Sequence, residues 1–331
     1  MNGIVDRPVK SGRTILAALV VGLVVFQAAG RTQGSLQGPT QGSFMYNSGQ
    51  SVAPMYHGWE QLPDGSKNLH FGYLNRNWEE EFEIPIGPDN NISPAPYGPD
   101  GGQPTYFLPR HNRWQFKVHV PADFGKGGEE LVWTLTTKGQ TVKAYATMHP
   151  NYVQDHHSIQ REVYDTPPEG NTDPVVKLET ARQLTAKVGE PVTLVAIATD
   201  DGLPRPVVQA RGDDDGDADA GTAPRRQRIA ITGPVGTATG RTQAKGLRFA
   251  WYLYRGPGGV KFDPPQFEVW EDTRAGRDSP FSPGWTTPPI PPGNRWAAQA
   301  TFTKPGTYVI RAWADDSYLK AYQDVTVTVT P

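Results

Sequence analysis

The chain has 331 residues, with 36 glycines, 32 prolines, no cysteine and a formal net charge of −2. This length is typical of about two domains. A near-neutral chain offers no broad basic surface for nucleic acid, and the lack of cysteine excludes disulfides and thiolate metal sites. Aromatic residues make up 10% of the chain, more than disordered chains usually carry, so ordered cores are expected.

The N-terminus has the pattern of an export signal. Three basic residues precede an apolar run, Ile15–Phe26, and small residues follow it, as in secretory signal peptides. We predict a signal helix within residues 1–30, cleaved after Gly30, and a periplasmic, cell-surface or extracellular protein. The alternative is an uncleaved anchor, and only then do we expect contact with a membrane. Residues 31–51 are rich in small polar residues and are predicted to be a flexible linker.

Residues 52–154 contain five segments in which apolar and polar residues alternate. These segments lie at 69–74, 82–86, 114–120, 131–136 and 142–146. Turn-forming residues separate them, and none shows the period of an amphipathic helix, so the pattern predicts an antiparallel β-sandwich. The alternation places Trp114 with Phe116, and Trp133 with Leu131, on inward faces.

Four motifs follow one another in this first part. They are Phe71-Gly72-Tyr73, Ile84-Pro85-Ile86-Gly87, Gly102-Gln103-Pro104-Thr105 and Val132-Trp133-Thr134-Leu135. Their order resembles a module of bacterial extracellular proteins that is often repeated or joined to immunoglobulin-like domains. The resemblance implies an extracellular context and assigns no catalytic residue.

Residues 155–174 are predicted to be a second linker, and residues 175–331 a second sandwich. Its predicted strands lie at 192–198, 247–253, 298–302, 305–316 and 325–330. Two long polar segments rich in proline and glycine, 205–245 and 256–295, interrupt this pattern and are predicted to be loop insertions.

Three stretches of the second part carry a further resemblance. They are Val188-Gly189-Glu190-Pro191, Pro305-Gly306-Thr307-Tyr308 and the alternating end Val325–Thr330. Their order resembles PKD and related immunoglobulin-like domains. The resemblance implies an immunoglobulin-like sandwich in which Trp251 is a core residue and Tyr308 bonds back across the Pro-Gly corner.

An acidic run in the first insertion is the candidate metal site. Asp215, Asp217 and Asp219 alternate as oxygen ligands do in calcium loops, but Arg226 stands where such a loop needs a glutamate. Calcium is the single cofactor that the sequence suggests. The alternative is a solvated acidic loop without metal. A second set, His149, Asp155, His156 and His157, has the ligand types that borderline metals prefer, or is an exposed linker.

Three tryptophans lie in or beside the second insertion. Trp270, Trp285 and Trp296 are the candidate ligand-binding residues, because aromatic side chains on loops stack on sugar rings or anchor a protein partner. The alternative is that they cover a small core beneath the loop.

We therefore predict an all-β protein with two tandem antiparallel β-sandwiches. Common catalytic motifs are missing from the sequence, so no residue is assigned as catalytic. The expected partner is a protein or glycan at the cell surface. The predicted role is structural, adhesive or partner-binding, without catalysis. One alternative is an accessory carbohydrate-binding protein. Another is an extracellular hydrolase that uses carboxylates such as Glu81 and Glu83.

Overall fold

Sixteen β-strands and two short 3-10 turns make up the regular structure of the described residues. The structure is a computed structural model, and it describes residues 45–155, 168–205 and 244–331. Within these ranges there is no α-helix, and hence no helix that could cross a membrane. The predicted signal segment, residues 1–30, lies outside the described residues.

The first half of the described chain contains eight strands. They are β1 (Val52–Gln61), β2 (Lys67–Asn75), β3 (Phe82–Glu83), β4 (Asn90–Ser93), β5 (Tyr106–Phe107), β6 (Arg110–Val120), β7 (Leu131–Thr137) and β8 (Gln140–Ala146). They form the antiparallel sheets β1-β2-β6 and β4-β7-β8 and the small pair β3-β5. We call this half the N-terminal sandwich.

The second half contributes the other eight strands. They are β9 (Val175–Leu178), β10 (Gln183–Lys187), β11 (Pro191–Thr199), β12 (Arg248–Arg255), β13 (Val260–Asp263), β14 (Arg295–Phe302), β15 (Gly306–Asp315) and β16 (Lys320–Thr330). They form the sheets β13-β14-β11-β9 and β10-β16-β15-β12, here called the C-terminal sandwich. All pairs are antiparallel except β10 with β16, which run parallel along one edge.

Trp133 is at the centre of the N-terminal core. It is fully buried with Leu131 and Leu135, as the alternation along this strand predicts. The ring of Phe116 meets it edge-on with centroids 5.0 Å apart, and its indole Nε1 donates to Asn90 Oδ1 at 3.0 Å. The buried indole is therefore both packed and hydrogen-bonded, as a buried tryptophan requires.

The C-terminal core confirms two further expectations. Trp251 is 1% exposed and lies in the core cluster. Tyr308 is fully buried, and its hydroxyl donates to the carbonyl of Lys304 at 2.8 Å. This bond returns across the Pro-Gly corner, the arrangement common in immunoglobulin-like sandwiches.

The second predicted insertion, residues 256–295, is only partly a loop: it contains β13, which pairs with β14, and a later part packs between the two sandwiches. Its Phe267, Val269 and Trp270 pack against a cluster that joins Leu108 of the N-terminal sandwich to Trp313 of the C-terminal one. The described chain from Tyr46 to Pro331 is accordingly one compact unit. A long polar insertion thus serves here as a packing element of the interface.

Candidate binding cleft between the two sandwiches

The outer face of the sheet β10-β16-β15-β12 faces the N-terminal sandwich. Along β15 the core residues Ile310 and Ala312 alternate with Arg311 and Trp313, so the latter two point outward. Cross-strand neighbours place Tyr252 opposite Arg311, on the same outward side. An outward face would normally meet water, but this one is largely covered by the other sandwich.

Arg311 is the central polar contact of this interface. Its guanidinium lies between two rings, 3.5 Å from the centroid of Tyr254 and 3.9 Å from that of Tyr322. It binds Asp324 through Nε and Nη2 at 2.8 and 2.9 Å, and Nη1 donates to the carbonyl of Gln115 in the N-terminal sandwich at 2.7 Å. A buried charge needs such compensation, so Arg311 fixes the two sandwiches relative to each other.

Other polar contacts extend the same interface. Arg255 binds both carboxylate oxygens of Asp100, at 2.9 and 2.7 Å. Tyr254 donates its hydroxyl to the carbonyl of Gly102 at 2.6 Å, and Tyr252 donates to Gln115 Oε1 at 3.2 Å. The interface thus combines aromatic rings with polar and charged groups, whereas the two cores combine aromatic rings with aliphatic side chains.

A bulge in β6 brings further residues to this interface. Phe71 pairs with Phe116 and Tyr73 pairs with Asn112, so three residues of β6, Arg113–Gln115, lie opposite one residue of β2. Bulges re-aim side chains in this way and are frequent beside functional sites. The predicted placement of Trp114 beside Phe116 in the core is therefore wrong, because the extra residues break the alternation.

The new position of Trp114 requires two local accommodations. Its φ is +54°, in the left-handed region that is an outlier for a bulky residue. The partner strand has Gly72, where an added Cβ would come within 2.4 Å of the Asn112 carbonyl oxygen and 2.5 Å of His57 Nε2. In this bulge the rings of Trp114 and His57 contact each other at an interplanar angle of 42°, with centroids 4.6 Å apart.

The two faces leave a cavity of about 140 Å³ between them, which we call the cleft. Its aromatic walls are Trp114, Tyr252, Trp313 and Tyr322, and its cationic walls are Arg113, Lys117, Arg311 and Lys320. Among the residues that the structure describes, no carboxylate lines the cleft. A water needs about 10–15 Å³ of such space, so the cleft holds several waters or a small group of a ligand.

Carboxylates lie behind the cations of the cleft. Glu271 is 3.4 Å from Arg113 Nε, Asp315 is 3.8 Å from Lys320 Nζ, and Glu60 is 3.8 Å from the ammonium of Lys117. These separations are longer than those of tight ion pairs. Each of these three cations thus has an acidic neighbour outside the lining of the cleft.

One histidine, His57, packs beside Trp114 of the cleft. Burial, and after it the charges of His111, Arg113, His70 and Lys320, hold the pKa of His57 well below its ordinary value. This His57 is consequently neutral at physiological pH. Burial is the larger cause of this pKa shift, and the basic neighbours add to it.

The predicted ligand-binding tryptophans are not brought together. Trp270 packs in the interface cluster. Trp285 meets Phe267 at 5.2 Å between centroids and donates to Asp278 Oδ1 at 2.7 Å. Trp296 lies on β14 and stacks on Phe249 at 5.5 Å. Their role in binding stays a prediction. Trp270 and Phe267, the ring that Trp285 meets, pack against the same interface cluster, whereas Trp296 packs against the C-terminal core.

Carboxyl groups line a second cavity, of about 170 Å³. Glu81, Glu268 and Trp270 are among the residues that line it. Burial raises the pKa of each carboxyl, against the opposing hydrogen bonds from Tyr106 to Glu81 and from Arg277 to Glu268. Glu83 is exposed and pairs with Tyr106 in the small β3-β5 sheet.

The candidate metal ligands gain no support from the described residues. His149 Nδ1 accepts a hydrogen bond from the Asn151 amide at 3.2 Å and so begins a 3-10 turn. Within residues 45–155, 168–205 and 244–331, no three histidine or acidic side chains are placed to hold a metal ion. The acidic run with Asp215, Asp217 and Asp219, and also His156 and His157, lie outside the described residues.

Comparisons with known proteins give no family. No protein-family model matches the sequence, and a search of curated proteins finds no match. Solved structures similar in part include a titin fragment, with 9% identity, TM-score 0.21 and coverage of 84% of this chain and 100% of that one. Immunoglobulin domains 1–5 of Sidekick-1 share 10% identity at a TM-score of 0.21, and the match covers 85% of this chain and 40% of that one. An S-layer protein, rSbsC, shares 8% identity at a TM-score of 0.20, and the match covers 81% of this chain and 24% of that one. Likenesses this weak do not indicate what the chain binds.

Proposed function

We propose that this chain is an exported, non-catalytic binding protein that holds its ligand in the cleft between the two sandwiches. The observation that carries the proposal is the convergence of aromatic and cationic side chains from both sandwiches on one cavity. Ligand sites typically combine aromatic walls with a few placed polar groups, and they occur where two domains meet. Export is supported by the apolar run Ile15–Phe26 behind three basic residues.

The interface supports binding at a preorganised site. Arg311 is held by two rings, a carboxylate and a carbonyl, so the walls of the cleft are fixed before a ligand arrives. Preorganisation lowers the entropy cost of binding. A surface protein with an adhesive role would gain affinity from such rigidity.

The carboxyl groups favour a non-catalytic reading over the hydrolase alternative. An acid/base pair needs one carboxyl that keeps its proton and a second that stays ionised. Burial raises the pKa of both Glu81 and Glu268, and each is engaged by a neighbouring side chain. The pKa values of the two carboxyls thus shift in the same direction, rather than apart as in an acid and base pair.

An array of neutral, acidic and basic oligosaccharides and peptides tests the proposal. We expect the wild-type chain to bind one class of spots, and Tyr322→Ala to lose that binding. Tyr145→Ala is the matched control, because Tyr145 is an exposed tyrosine on β8, outside the cleft. Binding that is equal in all three proteins, or no binding at all, would contradict a site in the cleft. Hydrolysis of a bound sugar that is lost in Glu268→Gln would establish the hydrolase instead.

A further inference from the structure

The side chains of the cleft also select the chemistry of its ligand. We propose that the cleft binds an acidic saccharide, with Arg113 on a sugar carboxylate and Tyr322 against a sugar ring. This inference rests on the proposed function. It follows from three features of the cleft: an arginine with unused donors, an aromatic surface open to solvent, and a moderate positive charge.

Arg113 has donors to spare. Among the described residues its guanidinium makes one hydrogen bond, from Nε to Glu271 Oε1 at 3.4 Å, and its side chain is 29% exposed. The two terminal nitrogens are left for a ligand. Their forked geometry fits the two oxygens of a carboxylate. The bulge holds this residue at the cleft, so the fork is presented by a constrained backbone.

Tyr322 provides a surface for a ring. Arg311 lies 3.9 Å from its ring centroid and covers one face, while the residue remains 37% exposed. Part of this side chain is therefore accessible to a ligand, and it lines the cleft. Sugar rings have apolar C–H faces that pack on aromatic rings. The carboxylate side chains of an acidic peptide offer no such face. The presence of both Tyr322 and Arg113 in the lining of the cleft favours an acidic sugar over an acidic peptide.

The charge of the cleft fits a single carboxylate on each sugar. Each of Arg113, Lys117 and Lys320 has a carboxylate within 3.8 Å that moderates its charge. A dense polyanion such as a sulfated glycan would bring more negative charge close to Glu60 and Glu271, which lie behind these cations, and would be repelled by them. A carboxylate is planar and singly charged, so it can bind the forked donors of Arg113 with less repulsion from these glutamates.

Titration calorimetry with three oligosaccharides tests this inference. The probes are oligogalacturonate, the same oligomer with its carboxyls reduced to alcohols, and a heparin oligosaccharide of similar length. We expect oligogalacturonate to bind. The reduced oligomer should bind at least about tenfold more weakly, because it lacks the charge-assisted hydrogen bonds. Binding of oligogalacturonate should weaken as salt is raised.

Two variants and two controls assign the contacts. Arg113→Gln and Tyr322→Ala should each weaken oligogalacturonate binding by about tenfold. Arg295→Gln is matched to Arg113→Gln, since Arg295 also pairs with one glutamate, Glu179 at 2.7 Å, but lies on β14. Tyr145→Ala is again matched to Tyr322→Ala. Thermal melts of all four variants verify that each one is folded.

Each outcome separates the inference from the proposed function. Equal binding of the reduced oligomer, lost in Tyr322→Ala, would overturn the acidic ligand and leave the cleft as a binding site. Preferential binding of heparin, or unchanged affinity in Arg113→Gln, would also overturn the inference. If none of the three oligosaccharides binds, the acidic saccharide is wrong, and the array of sugars and peptides decides whether the cleft binds another class.

Discussion

The two faces of the sheet β10-β16-β15-β12 are both largely buried, yet they differ in chemistry. The inner face carries Ile310 and Ala312 and packs in the C-terminal core. The outer face carries Arg311 and Trp313, also nearly buried, and meets the N-terminal sandwich. The first face excludes water by apolar packing, whereas the second buries charge between rings and leaves a cleft.

This comparison teaches that burial alone does not define a core. A core stabilises by removing apolar surface from water. The outer face requires partners for each buried polar group, and its Arg311 has them from both sandwiches. We therefore expect changes in a core to cost the most free energy, buried ion pairs less, and exposed contacts of the interface the least.

Removal of the N-terminal core tryptophan should have the largest effect. Trp133→Ala is expected to lower the free energy of unfolding by about 3–5 kcal/mol, through the cavity it leaves and the lost bond to Asn90. Chemical denaturation measures this. Tyr145→Ala, on the neighbouring strand and 52% exposed, should cost about 0.5 kcal/mol or less. A loss below about 1 kcal/mol for Trp133→Ala would mean that the site collapses around the substitution.

Loss of the central interface cation should come next. Arg311→Leu removes a side chain that is 4% exposed and leaves Asp324, which is 35% exposed, without its partner. We expect a cost of about 2–3 kcal/mol, below the range for a fully buried pair because Asp324 reaches solvent. The double variant Arg311→Leu, Asp324→Leu should recover part of it. A double variant as unstable as the sum of both single changes would show that the pair is not coupled.

The sequence predicts the cores better than the interface. Alternation correctly marks Trp133 as buried, because a strand with one buried face has a period of two. The core position of Trp251 and the corner bond of Tyr308 are implied by the resemblance to PKD-like domains, and the structure confirms both. Alternation fails at Trp114, since the bulge adds residues that no pattern within β6 itself indicates. Gly72, within the sequence Phe71-Gly72-Tyr73, was the available signal, as glycine in a strand often marks a bulge or a close approach.

The cleft itself could not be predicted, because its residues come from strands far apart in the chain. Arg113 and Tyr322 are brought together only by the packing of two sandwiches. The sequence did contain a hint in Tyr252 and Trp313, large aromatic residues at outward positions of their strands. Such residues on an outer face indicate that something covers it. Trp270, selected for its place in a loop, proved to be part of that cover.

A buried carboxyl near the end of β15 should make stability depend on pH. Burial raises the pKa of Asp316 to about 7, with a further contribution from Asp315, although the Leu319 and Tyr318 amides and Asn171 donate to its oxygens. The folded pKa exceeds the unfolded one, near 4. The folded state thus binds more protons between about pH 4 and 7, and stability falls as pH rises through that window.

Denaturation across this window measures the effect. The slope contributed by Asp316 should not exceed about 1.4 kcal/mol per pH unit. Asp316→Asn should abolish this contribution, because the amide does not titrate. The neighbouring Asn171 has a buried Oδ1 that makes no hydrogen bond within the described residues, so it can accept one from the new amide. A variant with the wild-type slope would assign the pH dependence to other groups.

The exposed ion pair of the interface should have the smallest effect. Arg255 and Asp100 form a bidentate pair like that of Arg311 and Asp324, but the Asp100 side chain is 48% exposed. Solvent and salt weaken such a pair. A double-mutant cycle with Arg255→Gln and Asp100→Asn should give a coupling of about 0.5–1 kcal/mol at low salt and less at high salt. The Arg311–Asp324 coupling should change less with salt, because its arginine is buried between two rings. Equal salt sensitivity in both pairs would mean that solvent reaches Arg311, and that the outer face of the sheet is not sealed by the N-terminal sandwich.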